Sequence, residues 1–265
     1  MRRAKEQVLE TIVAKSRKEL AESRKRIPAS LLESRIPELP PVRDFAAALR
    51  RPGRRIIAEL KAASPSKGAI RPELDREVER LAAGLEAAGA AALSVLTERN
   101  FFLGSGMNLR RARGSVDIPL LRKDFIYDEY QILEARVWGA DAILLIAAML
   151  TPEEFRKLRA FAASLGLAVL CEAHTADELD MLLDGGAEIV GINARNLSTF
   201  DTSLALAGEL IRQIPAGKIA VAESAIRSAD DLNAMEQVGA KAFLIGETLM
   251  RAERPGEKLC ELLSK

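Results

Sequence analysis

The chain has 265 residues, 39 Lys and Arg against 38 Asp and Glu, 48% hydrophobic and 29% charged residues, and a net charge of +1. That length fits one large domain or two small ones with ample core, and the charge balance argues against a nucleic-acid surface, which needs a basic excess. No apolar run approaches the ~18 residues of a membrane span, and the opening MRRAKEQVLE has no apolar signal core.

Two Cys in a chain this long suit a reducing cytosol and form no ligand cluster, so the expected location is cytoplasmic and no metal is expected. The single His cannot build a His-rich metal site. It leaves acid–base work to carboxylates and lysines.

Residues 1–51 are rich in Arg, Lys and Glu and read as a helical extension. An amphipathic helix surrounds Val8, Ile12, Val13 and Leu20. A second helix is expected over 29–35 and a short one near 45–49, separated by Pro28, Pro37, Pro40 and Pro41. The apolar stripe of the first helix covers a binding site at the barrel mouth, mediates association, or simply packs against the barrel.

After Arg55 the texture becomes a repeated alternation. Apolar runs of β type fall at 55–60, 91–96, 118–121, 142–146, 168–171, 189–192, 219–222 and 242–245. Charged, periodic helices are expected between them at 75–88, 108–112, 128–138, 152–165, 176–184, 203–213, 228–238 and 255–263. Helix starts such as Thr151-Pro152-Glu153-Glu154 and Thr175-Ala176-Asp177-Glu178 carry caps and acidic first turns. Stops such as AAGAA and VGAKA place Gly just past a helix.

Eight β–α units over about 210 residues indicate an α/β protein, a closed (β/α)8 TIM barrel with an N-terminal helical extension. Residues 1–265 then form a single barrel domain, of which 1–51 is the extension. The alternative, a doubly wound open sheet, usually has fewer strands and a Gly-rich phosphate loop, and no GxGxxG or Walker loop is present.

Active sites of barrels lie at the carboxyl ends of the strands. Here those ends carry Glu59 and Lys61, then Lys123, Glu172, Asn193 and Glu223. Glu59 and Lys61 are two apart, so both face the barrel mouth while Leu60 faces the helices. One such charge can merely mark where a sheet meets water. A ring of two lysines and three glutamates can supply an acid and a base without His. Three turns suit a phosphate: Ser64-Pro65-Ser66-Lys67-Gly68, Glu223-Ser224-Ala225-Ile226-Arg227 and Ile245-Gly246-Glu247-Thr248. The last two follow strands seven and eight, where this fold usually cradles phosphate.

The segments IIAELKAASPSKG, ALSVLTERNFFLGS, PLLRKDFI, CEAH, GINARNL, VAESAI and FLIGETLM, in this order and spacing, closely resemble the indole-3-glycerol phosphate synthase family. The resemblance spans nearly the whole chain. It implies closure of an indole ring on 1-(2-carboxyphenylamino)-1-deoxyribulose 5-phosphate, with loss of carbon dioxide and water and no cofactor. It implies Lys123 as general acid, Glu172 as general base, and Lys61 as holder of the substrate carboxylate and second acid. Glu59 orients Lys61, Asn193 and Glu223 position hydroxyls and lysines, and Ser224 completes the set.

By the same resemblance, Ser64, Phe102, Arg195, Ala225, Gly246 and Glu247 contact the substrate or its phosphate, with Phe102 on the anthranilate ring. The family usually has Gly where Ala225 stands, which costs energy if φ is positive there. The Glu247 carboxylate is expected to point away from the phosphate. The expected partner is a phosphorylated anthranilate-derived small molecule, with no nucleic acid or membrane, and the expected assembly is a monomer or weak homo-oligomer.

Other residues have plainer readings. His174 borders or caps the next loop. Cys171 faces the helices opposite Glu172, Cys260 packs in the last helix, and Trp138 belongs to the core. A phosphoribosylanthranilate isomerase-like barrel would need Cys at the end of the first strand, where Glu59 stands. A non-catalytic barrel would show a broken Lys and Glu set.

Overall fold

The computed structural model describes residues 2–195 and 202–264, with the side chains of residues 2–8 excluded. Asn196 and Leu197 of the GINARNL segment, and the side chain of Val8, therefore lie outside the described residues.

Three helices precede the barrel: α1 (Arg2–Arg26), α2 (Ala29–Glu33) and α3 (Phe45–Arg50). The last turn of α1 holds Arg24, Lys25 and Arg26, cations placed where the helix dipole favours them. Asp44 caps α3 by accepting from the Ala47 N–H at 2.8 Å.

Eight parallel strands follow: β1 (Ile56–Leu60), β2 (Ala92–Leu96), β3 (Leu120–Lys123), β4 (Ala142–Ile146), β5 (Ala168–Ala173), β6 (Ile189–Asn193), β7 (Ile219–Glu223) and β8 (Ala242–Ile245). They close into a barrel in which β1 pairs with both β2 and β8. The helices between them are α4 (Leu74–Ala87), α5 (Gly106–Arg113), α6 (Glu129–Val137), α7 (Pro152–Ser164), α8 (Ala176–Asp184), α9 (Leu204–Ile211) and α10 (Ala229–Gln237). The chain ends with α11 (Glu247–Arg251) and α12 (Pro255–Leu263). Thr151 forms a full capping box with Glu154 at the start of α7. The stops after α4 and α10 carry Gly89 and Gly239 at φ 97° and 110°, which release the chain from the helix into the next strand.

Strand periodicity sorts the core into two shells. Ile57, Leu121, Leu144, Leu170, Val221 and Leu244 pack inside the barrel. Ile56, Ala58, Leu60, Val95, Cys171, Ile192 and Phe243 pack outward against the helices. Cys171 thus faces the helices, as expected.

The extension serves both ends. Phe45 and Leu49 of α3 join the inner cluster beside Ala91, Ile189 and Ile219, at the amino ends of the strands. Ile12 of α1 is buried in the same cluster. Its neighbours on α1 bridge to the loops at the mouth: Ser16 Oγ to the Tyr127 hydroxyl at 3.2 Å, and Asn100 Nδ2 donating to Glu19 at 2.9 Å.

Element bounds match the sequence reading to within two residues, with instructive exceptions. The third strand starts and ends two residues later than expected. Pro119 has no N–H for a ladder, and Arg122 and Lys123, read as the polar end of the strand, are strand residues whose charges are paired. A hairpin of Ala63–Ser64 with Gly68–Ala69 and the helix α11 were not anticipated. Cys260 is exposed on α12, contrary to expectation.

Candidate active site

Period-two alternation aims one residue of each strand end into the mouth. Glu59, Lys123, Glu172, Asn193 and Glu223 all lie on the inner face, and Arg122 and Ala173 beside them face outward. The Lys123 ammonium donates to Glu172 Oε2 at 2.8 Å and to Glu223 Oε2 at 3.3 Å. Asn193 Nδ2 donates to Glu172 Oε1 at 3.1 Å. Lys61 pairs with Glu59, and the Ser94 hydroxyl donates to the other Glu59 oxygen at 3.3 Å. Two glycines make room for this layer: a methyl group on Gly191 would strike the Glu223 carboxyl, and one on Gly246 would strike that of Glu59.

The carboxyl side chains of Glu172 and Glu223 are 2% and 1% exposed, so neighbours rather than water decide their charge. Burial opposes ionisation of Glu172, yet the Lys123 ammonium and His174 outweigh it and hold the carboxylate well below the ordinary range. Burial, together with the adjacent Glu172 carboxylate, raises Glu223 to about 8 despite Lys123. Burial also opposes the charge on Lys123, but Glu172, Glu223 and Glu59 outweigh it and hold the ammonium above the ordinary lysine range. Around neutral pH the trio is one ammonium, one carboxylate and one largely protonated carboxyl.

Behind Glu172 sits His174, whose side chain is 6% exposed. Its ring reaches Glu172 Oε1 and Glu178 Oε2, each at 3.3 Å. Burial works against its charge, but the two carboxylates lift it to about 9. This contact exceeds the loop-bordering part expected of it. Its sequence signal was its position two residues beyond Glu172.

The residues on either side of Lys123 are themselves fixed by side-chain contacts. Arg122 pairs with Asp124 at 3.0 Å, donates to the Gln131 carbonyl at 2.6 Å, and lies over the Trp138 ring at 4.3 Å. Thr97 also bonds Asp124. Trp138 therefore belongs to the packing, as expected, and carries a guanidinium on its face.

All the residues proposed from the sequence line one cavity of about 470 Å³: Glu59, Lys61, Ser64, Phe102, Lys123, Glu172, Asn193, Arg195, Glu223, Ser224, Ala225, Gly246 and Glu247. One wall is apolar, formed by Leu9, Ile12, Phe102, Phe125, Leu144 and Ile146. Phe102 and Phe125 meet at 6.0 Å between ring centroids. The β2–α5 loop that carries Phe102 is held by buried Glu98, whose carboxylate accepts from the N–H groups of Asn100, Phe101 and Phe102 at 2.9, 2.7 and 3.0 Å. The sequence reading missed Phe125 and Leu9 as parts of the cavity and Glu98 as the support of its loop, whereas Ile12 belongs to the apolar stripe for which covering a binding site was one reading.

The opposite wall carries the turn after β7, where Ser224 and Ala225 both adopt left-handed backbone, φ 66° and 60°. Glu247 does not point away from this wall. Its carboxylate lies 3.0 Å from Arg251, 3.6 Å from Arg195 and 3.9 Å from Lys67. Three cations thus converge there, and Arg195 also donates to Ser66 Oγ at 3.1 Å. Among the described residues, no group of three His, Cys, Asp or Glu side chains is arranged to hold a metal ion.

The family description "Indole-3-glycerol phosphate synthase" matches residues 9–262 of this chain. The chain belongs to the indole-3-glycerol phosphate synthase family. Curated relatives of that name include one from Dechloromonas aromatica (strain RCB), 44% identical over 97% of this chain and 99% of the relative. Another, from Chromobacterium violaceum, is 45% identical over 96% of this chain and 97% of the relative.

Among solved structures, a mutant tryptophan synthase alpha-subunit from Pyrococcus furiosus superposes with TM-score 0.61 at 16% identity, covering 80% of this chain and 98% of that one. A KGPDC from Streptococcus mutans superposes with TM-score 0.60 at 16% identity, covering 80% and 96%. At those identities they speak to the barrel fold alone. As an indole-3-glycerol phosphate synthase, the protein is a carboxy-lyase of tryptophan biosynthesis, and no described helix is long and apolar enough to cross a membrane.

Proposed function

We propose that Lys123, Glu172 and Lys61 carry the three chemical steps from 1-(2-carboxyphenylamino)-1-deoxyribulose 5-phosphate to indole-3-glycerol phosphate. The substrate lies with its anthranilate ring on Phe102 and the apolar wall. Its phosphate lies on the turn at Ser224 and Ala225 and on the backbone at Gly246 and Glu247, with Ser64 and Arg195 beside it. The three cations round Glu247 offset that carboxylate, so a phosphate can approach. The reading includes a cytoplasmic monomer or weak homo-oligomer.

In the first step the ring carbon bearing the carboxylate attacks the ribulose carbonyl carbon. The carbonyl oxygen takes a proton from the Lys123 ammonium, so no alkoxide is stranded in the cavity. Loss of carbon dioxide from the same ring carbon then returns an electron pair to the benzene ring. The hydroxyl finally leaves with a proton from Lys61 while Glu172 takes a proton from the adjoining CH2, which completes the indole. Glu59 orients Lys61, and Asn193 and Glu223 fix the hydroxyls and Lys123.

The observation that carries this reading is the Lys123 ammonium held 2.8 Å from an ionised, buried carboxylate at the edge of an aromatic-lined cavity. Acid and base are adjacent and both in their working charge states near neutral pH. The test is indole-3-glycerol phosphate fluorescence after mixing enzyme and substrate. Lys123→Ala is expected to lower kcat by 10²-fold or more with little change in KM; activity within tenfold of the parent would sink the acid assignment. Glu172→Gln is expected to accumulate the decarboxylated, still hydroxylated intermediate, seen by rapid quench. An unchanged rate without intermediate would refute the base assignment.

A further inference from the structure

Two buried carboxyls flank Lys123, and something must decide which of them serves as the base. Glu223 has the Lys123 contact at 3.3 Å on one oxygen, and its other oxygen is buried without a hydrogen-bond partner. Glu172 has Lys123 on one oxygen and Asn193 on the other, and a third contact from behind, His174. His174 lies in the bend just past the end of β5, two residues beyond Glu172. The His174 backbone N–H donates to Glu178 Oε2 at 2.7 Å, and its Nδ1 lies 3.3 Å from the same oxygen. Glu178 is itself fixed in the first turn of α8, where its N–H donates to the Thr175 hydroxyl at 3.2 Å. The imidazole is thus wedged between two carboxylates, one inside the site and one at its outer edge.

A neutral imidazole has one N–H and one lone pair. With a carboxylate at each ring nitrogen, the neutral ring would turn its lone pair on one of them. The cation presents N–H to Glu178 and holds its Nε2, which makes no hydrogen bond, 3.3 Å from Glu172 Oε1 as an ion pair.

We propose that His174 is a positioning residue which, as an imidazolium between Glu172 and Glu178, keeps Glu172 ionised and aimed, so that Glu172 rather than Glu223 serves as the base. This rests on the assignment of Glu172 as base made above. The surroundings agree. Strands β4 and β6 and the turn Ala147–Met149, which pack against β5, bring no ionisable side chain; helix α7, which also packs against it, carries Arg159, whose guanidinium donates to the Gly185 carbonyl at 3.0 Å. Asp177 in the first turn of α8 is exposed to solvent, and Lys123 approaches Glu172 through its other oxygen. The charges that act on His174 are those of Glu172 and Glu178, and together they lift it to about 9.

The chain has one His, so its imidazole can be observed without assignment ambiguity. The experiment is a pH titration of untagged protein labelled with 15N-histidine, read by NMR. A doubly protonated ring at pH 7.5 that titrates near pH 9 is expected, with the midpoint lowered by a unit or more in Glu172→Gln and in Glu178→Gln. A single neutral tautomer at pH 7.5 in the parent protein overturns the proposal, and this measurement needs no variant to fold.

Kinetics supply the second arm. Without the cation, the pKa of Glu172 rises, so activity is lost sooner as pH falls. In His174→Asn the acid limb of the kcat profile is expected to move up by a unit or more, with KM within about twofold and most of the rate recovered at higher pH. A loss of rate that is uniform across pH marks a merely structural His174 and overturns the proposal. An active Glu172→Gln enzyme would instead sink the base assignment, whatever the imidazole titration shows.

Discussion

Glu223 illustrates how one side chain can be useful and costly together. Its folded pKa, about 8, stands above the ordinary carboxyl value of 4.5. The protonated form is thus the one the fold prefers. The stability linked to it is fully present below about pH 4.5 and is lost as pH rises through 8. Glu223→Gln, which cannot ionise, is therefore expected to have a higher Tm than the parent at pH 8–9, with the difference shrinking towards pH 5. Thermal unfolding of both proteins across that range checks it, and the variant should lose activity because Lys123 loses one of its anchors. A neighbouring residue stores strain of another kind. Ala225 keeps φ at 60° rather than relaxing, at a cost on the order of 1 kcal/mol for a residue with a Cβ. Ala225→Gly is expected to raise the denaturant midpoint by an amount equivalent to about 1 kcal/mol or less, since glycine returns part of the gain as unfolded-state entropy.

At the scale of elements, the strand ends and α1 play different parts. The ends of β1, β3, β5, β6 and β7 could be read from sequence because alternation and a polar break in an apolar run both point to the mouth. Gly191 on β6 has no role that the sequence alone shows. Its reason is tertiary, the absence of a Cβ beside the Glu223 carboxyl. Gly191→Ala is expected to cut kcat more than tenfold while circular dichroism stays that of the parent, since the strand itself tolerates Ala. Helix α1 was legible as a helix, but an apolar stripe does not name the surface that it covers. The structure puts Ile12 in the inner cluster and, with Leu9, on the cavity wall. The Lys15 ammonium lies 4.9 Å over the Phe101 ring, and Arg17 lies 5.5 Å from that of Tyr127. Ile12→Ala is expected to raise KM several-fold with a smaller effect on kcat, measured at steady state, because it thins the wall against the aromatic end of the substrate. His174 does border the turn before α8, as expected; what the sequence did not show is that its ring reaches Glu172 and that α8 brings Glu178 to it.

Across the whole molecule, the barrel depends on joining its first strand to its last βα unit. Arg54, just before β1, has a side chain 3% exposed. It donates to Glu236 at 2.8 Å, to the Leu262 carbonyl at 2.9 Å and to Asn233 at 2.6 Å, and so ties the start of the barrel to α10 and α12. Arg54→Ala is expected to lower unfolding stability by about 2 kcal/mol, because the fixed acceptors lose charged donors while the half-exposed Glu236 regains some water. Its kcat at saturating substrate should stay within twofold, as it lies away from the mouth; urea unfolding and steady-state assays separate the two effects. The sequence by itself determined the eightfold β–α order, the two faces of every strand and the residue types brought to the mouth, since these follow from periodicity and local capping. Only the tertiary structure decided how the charges divide: which carboxyl ionises, which glycine clears space, what the lone imidazole touches and where α1 lies. Those outcomes depend on burial and on distances of about 3 Å between groups far apart in the chain, and Coulomb interactions at that range have no signature in local sequence.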